Sequence, residues 1–275
     1  MKKLLKITGK IILLLICFFI IFELLLIAFV RPSNVRDWSN DLEILPYAEF
    51  DGDMVTVKNI RNFSYENVQN YTPNYYDKTF NLDEIKSVDF IVEPFSGLAA
   101  HTFVAFGFED GSYVDISIEV RREKGEFFNA LKGLFRQFEL VYVVADERDV
   151  LKLRTNYRKD DVYLYPIKTT EEKMRQMFVE MLTRANGLRN NPEFYNTLTN
   201  NCTTNIVEHV NSITPKRIPL SYAVIFPKFS DELALDIGLI DEEGSIEEVR
   251  TRHNITELAQ QYGDDPNFSG KIREK

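Results

Sequence analysis

"AAHTFVAFGFEDGSYVDISIEVRRE", residues 99–123, decides the fold. Its apolar and polar residues alternate on both sides of Glu109-Asp110-Gly111-Ser112, the signature of two strands joined by a tight turn. A loop made of Glu109, Asp110 and Gly111 puts glycine where such hairpins need a left-handed residue. It pairs Phe108 with Ser112 and sets His101 opposite Glu119. A two-residue turn instead shifts the register by one and sets Thr102 opposite Glu119. On the second strand Val114, Ile116, Ile118 and Val120 share one face, and Asp115, Ser117, Glu119 and Arg121 share the other. That polar face suits a cleft and a solvated surface equally.

Working outward, "GDMVTVKNIRNFSY" (52–65), "EIKSVDFIVEPF" (84–95, stopped by Pro94), "FELVYVVAD" (138–146) and "DVYLYPI" (161–167) read as further strands. "ERDVLKLRTNYRK" (147–159) is a short helix or an irregular crossing. The period then lengthens. "TTEEKMRQMFVEMLTRANGL" (169–188) has a Thr170 cap and a core stripe of Met174, Met177, Phe178, Met181 and Leu182 at helical spacing. A second helix starts near Asn201 and stops before Pro215, with Ile206, Val210 and Ile213 on its buried side. "FSDELALDIGLID" (229–241) is a third, followed by a polar tail with Gly263, Pro266 and Gly270 that is expected to fray. The class is α+β, a mostly antiparallel sheet with packed helices.

The 275 residues, 44% hydrophobic, allow one globular domain of about 200 residues plus attachments. A net charge of -9 leaves no basic stripe for phosphates, so nucleic acid is excluded as a partner. Lys2, Lys3, Lys6 and Lys10 precede a run over residues 11–30 that is apolar except for Glu23, about the length that crosses a bilayer. No small-x-small cleavage site follows it, and Ile16 before Cys17 makes a poor lipobox. Residues 1–30 therefore read as an uncleaved signal anchor. Glu23 faces a partner helix or is protonated in lipid. The lysines place the N-terminus in the cytoplasm and the domain in the periplasm, on the inner membrane. Residues 31–50 form a juxtamembrane segment in which Trp38 anchors at the interface or packs on the domain. Residues 51–225 form the domain, and 226–275 a helical extension and tail.

Cys202 in "NNCTTNIVEHV" (200–210) is the only cysteine outside the apolar N-terminus. With Asn201 or Asn200 as cap, it lies in a helix's first turn, where free amides and the macrodipole favour a thiolate. A thiolate used in acyl chemistry also needs an imidazole. His209, seven residues on, lies about 10 Å away along the axis and is expected to face solvent or cap a contact. His253 has no supporting pattern. His101 remains, after the small-residue loop "SGLAA" (96–100), and in the first register Glu119 can fix its tautomer. No metal-ligand spacing is present, and no cofactor is implied.

"HTFVAFGFEDGSYVDISIEVRRE", "VVADERDVLKLRTNYR", "VYLYPI" and "EFYNTLTNNCTTNI", with "VKNIRNFSY" upstream, together resemble the Lnb N-terminal periplasmic domain family over roughly residues 38–225. The resemblance implies a circularly permuted NlpC/P60 papain-like arrangement, with the histidine strand before the cysteine helix. It implies a Cys–His thiol enzyme, Cys202 as nucleophile, His101 as base, and Glu119 and Arg121 as an acidic and basic pair. Asn201, with the Cys202 amide, would shape an oxyanion site. Lipoprotein acyltransferases of this type carry several membrane helices after the domain, whereas here one apolar run precedes it.

Three functions follow as expectations. The first is a membrane-anchored acyltransferase that takes phospholipid or lipoprotein acyl groups through a Cys202 thioester, with Phe103, Phe106, Phe108, Phe127, Phe128, Leu131, Leu134 and Phe135 lining an acyl channel. The second is a cell-wall peptide amidase or hydrolase using the same dyad. The third is a non-catalytic interaction domain in which Cys202 is merely buried.

Overall fold

The computed structural model describes residues 2–274, without the side chains of residues 2–6, Glu23 and Ser96. The expectations placed on Lys2, Lys3, Lys6 and Glu23 thus fall outside the described side chains. Helix α1 (Lys2–Phe29) contains one stretch, Ile7–Phe29, long and apolar enough to cross a membrane.

The sheet comprises β1 (Tyr47–Asp51), β2 (Met54–Arg61), β5 (Tyr75–Asn81), β6 (Ile85–Ser96), β7 (Ala99–Phe108), β8 (Tyr113–Arg121), β9 (Glu139–Ala145) and β10 (Tyr163–Pro166). The short pair β3 (Ser64–Tyr65) and β4 (Tyr71–Thr72) stands apart. The order is β1-β2-β9-β8-β7-β6-β10, with β5 also on β2. All pairings are antiparallel except the single β2–β9 contact, Arg61 to Ala145. β6 runs through Pro94 instead of stopping there, and its pairing with β7 is irregular between Pro94 and Ser96. A bulge accommodates a residue that cannot donate to the ladder.

The hairpin adopts the first register. The Phe108 amide donates to Ser112 O, Gly111 has φ 77°, and Phe103 pairs with Ser117, an alignment that extends to His101 and Glu119. Both faces of this hairpin are buried. One carries Val104, Phe106, Ile116 and Ile118 toward α3 (Glu171–Asn190) and α4 (Cys202–Ile213). There the Phe178 ring meets Phe80, Phe106 and Phe108 edge-on at 5.0–5.7 Å. Truncating such a residue to alanine costs about 3–5 kcal/mol.

The other face carries Phe103, Ala105, Val141 and Val143, covered by α2 (Glu147–Lys152) and the π-helical turn Leu153–Arg158. The chain beyond α3 and α4 adds α5 (Tyr222–Ile225), α6 (Ser230–Asp236), α7 (Ile246–His253), α8 (Thr256–Gln261) and α9 (Phe268–Lys271). α8 and α9 complete the cover: Ile255, Ala259, Phe268 and Ile272 are buried, and Arg273 donates to Asp89 and Glu147, each at 2.9 Å. The expected fraying tail is therefore part of the core. The juxtamembrane segment is likewise integral, since Trp38 is buried beneath the Arg121 guanidinium at 4.2 Å.

Candidate active site

Cys202 is the first residue of α4. Asn201 Oδ1 accepts from the Thr204 amide at 2.9 Å, and Thr204 Oγ1 accepts from the Asn201 amide at 2.8 Å, a reciprocal capping box. Thr203 Oγ1 lies 3.0 Å from Thr102 Oγ1, clamping this first turn onto β7 beside His101. Cys202 is 5% exposed, more covered than a surface first turn would be.

His101 Nε2 lies 2.7 Å from Ser117 Oγ and 3.1 Å from Glu119 Oε1. Nδ1 is then the ring nitrogen left for the sulfur, close enough for each group to shift the other's pKa. Burial alone would lower the imidazole pKa. The Glu119 carboxylate and the Cys202 sulfur outweigh it and push His101 up to about 9. Burial would raise the thiol, but His101 and hydrogen bonds from Thr102 hold Cys202 below its ordinary value. Glu119 is held well below the usual carboxylate range, against its burial, by His101, Arg154 and Ser117. Together these shifts favour a thiolate–imidazolium pair.

Arg154 anchors the carboxylates from behind. Its Nε donates to Glu93 Oε2 at 2.6 Å, its Nη2 to Glu119 Oε1 at 2.9 Å, and its Nη1 to Val150 O at 2.9 Å. The guanidinium also stands 4.8 Å from the Phe103 ring centroid, and Phe103 stacks on His101. Glu93 pairs with His101 across β6 and β7. Beside it, burial and the hydrogen bond to Glu93 push Asp160 up to about 6.

The loop leading into Cys202 rests on another. Thr197 Oγ1 donates to Ala130 O at 2.7 Å, Asn201 Nδ2 donates to Thr197 O at 2.8 Å, and Phe128 meets Tyr195 edge-on at 6.2 Å. Burial raises the Tyr195 phenol pKa, and the nearby charges of Cys202 and Glu119 raise it further. The supporting loop carries Phe135, whose ring lies 6.1 Å from both Phe19 and Phe22 of α1. On the same loop Phe127 is 81% exposed and Leu131 69%.

Of the residues singled out in the sequence, Cys202, His101 and Glu119 are brought together. Arg121 is not: its guanidinium donates to Leu42 O, Glu43 O and Asn34 Oδ1, holding residues 31–50 to the sheet. The Asn201 side chain is occupied by capping, accepting from the Thr204 amide and donating to Thr197 O. His209 is buried rather than facing solvent, 2.7 Å from Tyr142 Oη, and burial with the Arg184 charge brings it down to about 4. His253 Nδ1 contacts Leu164 O at 2.9 Å, far along the chain from the thiol's partners. Phe103, Phe106 and Phe108 are core residues. Ser117, Glu93, Arg154, Tyr195 and Thr102 were not foreseen. Only Ser117 had a signal, sharing its strand face with Glu119.

These features set a buried cysteine, a histidine and a carboxylate close together on an α+β domain preceded by an apolar helix. The chain belongs to the Lnb N-terminal periplasmic domain family, whose model matches residues 71–228, more than half its length. Comparison with curated proteins and with solved structures found no match.

Proposed function

We propose that this protein is a cysteine-dependent acyltransferase, acting on phospholipid or lipoprotein acyl groups at the periplasmic face of the inner membrane. In this reading α1 is a single-pass anchor with its N-terminus in the cytoplasm, and the histidine strand and cysteine helix form a permuted papain-like arrangement. The observation that carries it is Cys202 at the start of α4, whose first turn is clamped onto β7 beside His101, with Ser117 and Glu119 behind the ring.

Cys202 Sγ attacks the carbonyl carbon of an acyl ester, and the C–S bond forms as the carbonyl oxygen becomes an oxyanion. The free amides of the first turn of α4 face that charge. The oxyanion collapses, the ester C–O bond breaks, and His101 gives its proton to the departing alkoxide. An amine or hydroxyl acceptor then attacks the thioester, passing its proton to His101, and the thiolate is regenerated. A lipid source of acyl groups is supported by Phe135 against Phe19 and Phe22, and by the exposed Phe127 and Leu131 beside the loop that sets Cys202. Confinement to the membrane raises the effective concentration of such substrates.

The test is intact-protein mass after incubating the detergent-solubilised full chain with phospholipid or, separately, with a diacylated lipopeptide. An adduct of acyl-chain mass, released by neutral hydroxylamine and absent from Cys202→Ser, is expected. No adduct or transferred product with either lipid, from a thiol that still alkylates, would sink the lipid reading and turn attention to amide bonds of cell-wall peptides.

A further inference from the structure

A cavity of about 600 Å³ lies between the sheet and helices α3, α4 and α6. Phe90 and Val104 line it from the sheet, Met177 from α3, Ile206 and Val210 from α4, and Leu233 from α6. It explains why Val210 and Ile213 are only half-buried although they lie on the apolar side of their helix. Protein interiors leave few voids larger than a water molecule, whereas ligand pockets run to roughly 300–1,000 Å³. The cavity follows α4 from Thr203 to Thr214, roughly 16 Å at the helical rise.

Its two ends differ. The inner end stops at Thr203, whose hydroxyl is already engaged by Thr102, and Cys202 does not line it. The outer end carries Lys173, Lys216 and Arg217, with Lys168, which is paired to Asp241 at 2.7 Å. No carboxylate lines the cavity. Three cations without an acidic partner among the described residues thus ring an apolar slot, in a chain whose net charge is -9. Such a rim takes an anion, and lysine with arginine suits a phosphate.

We infer that this cavity binds a single-chain amphiphile with a phosphate headgroup, its tail running along α4 toward Thr203 and its phosphate held by Lys173, Lys216 and Arg217. This polarity points the tail's end, not an ester, toward the nucleophile, so the site is separate from the one that forms a thioester.

Photoaffinity labelling of the full chain, in nanodiscs of zwitterionic lipid, tests this. The probe is tetradecyl phosphate carrying a diazirine near the chain terminus, with label positions read by peptide mass spectrometry. Label is expected on the cavity walls of α3 and α4, displaced by unlabelled tetradecyl phosphate and not by tetradecanol. Reversing two rim charges, Lys173→Glu with Arg217→Glu, should lower it roughly tenfold while Cys202 still alkylates at the wild-type rate. Cys202→Ser should label as the wild type does. Equal displacement by the alcohol, label confined to α1 and the Phe127–Leu131 loop, insensitivity to the charge reversal, or dependence on Cys202 would each overturn the assignment. Because the readout does not involve thioester chemistry, its failure is distinct from failure of the acyltransferase reading.

Discussion

Ser117 Oγ stands 2.7 Å from His101 Nε2 and 2.7 Å from Glu119 Oε1, so one hydroxyl joins the ring to the carboxylate. A hydroxyl has a single proton, and here it is donated to Glu119. Toward the ring Ser117 must therefore accept, which puts a proton on Nε2 and leaves Nδ1 as the nitrogen that can exchange a proton with the thiol. The tautomer follows from the hydrogen-bond network.

Alkylation of Cys202 should respond to this arrangement. Because the thiol is held below its ordinary value, its reaction with iodoacetamide should reach half its maximal rate at a lower pH than that of an ordinary cysteine. His101→Gln removes the imidazolium and should slow the reaction at pH 7 at least about tenfold, the thiolate fraction lost per unit of pKa rise. An unchanged rate would show that the imidazole does not control the thiol.

The same pair makes stability depend on pH. His101 is raised from 6.5 to about 9, so its contribution is full below pH 6.5 and is lost as pH rises through about 9. Glu119 is lowered, so its contribution is full above pH 4.5 and is lost as pH falls through its folded value. The melting-temperature gap between wild type and Glu119→Gln should therefore be widest between pH 4.5 and 6.5 and narrow above pH 9. A gap that widens with alkalinity would contradict the assignment.

Arg154→Met leaves Glu93 and Glu119 facing one another without their shared cation. Breaking a buried pair from one side costs about 3–5 kcal/mol, which denaturant titration of the full chain would register. A loss below 1 kcal/mol would mean that Arg158, 3.4 Å from Glu93, suffices.

Gly133 allows the loop bearing Phe135 to approach the loop before Cys202. A Cβ there would meet the Thr197 hydroxyl and come within 3.2 Å of the Tyr195 ring. Gly133→Ala should cost about 1–3 kcal/mol as overpacking and slow Cys202 alkylation through Thr197 and Asn201. Wild-type alkylation in a destabilised variant would uncouple the two loops.

Phe127→Asp with Leu131→Asp places charge where the exposed apolar tip of that loop stands. Acyl transfer from bilayer lipid should fall while alkylation of Cys202 stays as it was. Full transfer by this variant would remove the loop from lipid access.

Much of the fold was legible because it is local. Gly111 and the alternation around it decide the hairpin register, and that register carries His101 to Glu119. The capping residue and apolar stripe of α4 were equally readable. Arg121 misled because it shares a strand face with Glu119 yet lies two residues on, about 7 Å further, where it meets Leu42 and Glu43 instead of the thiol. Arg154 left no signal: its partners are 61 and 35 residues away, and a charge looks solvated until the topology buries it. Phe268 and Ile272 were lost in a polar segment whose helices are too short to establish a period.

The Arg273 clasp on Asp89 and Glu147 sets an order of events in the life of the chain. Asp89 and Glu147 emerge long before the cation that neutralises them, 184 and 126 residues further along the chain. Until residue 273 is released, two buried acids have no counter-charge and one side of the sheet lacks Phe268 and Ile272. Closure of that side of the sheet therefore waits for Arg273. A protease that removes Phe268, Ile272 and Arg273 before closure would leave an incomplete domain.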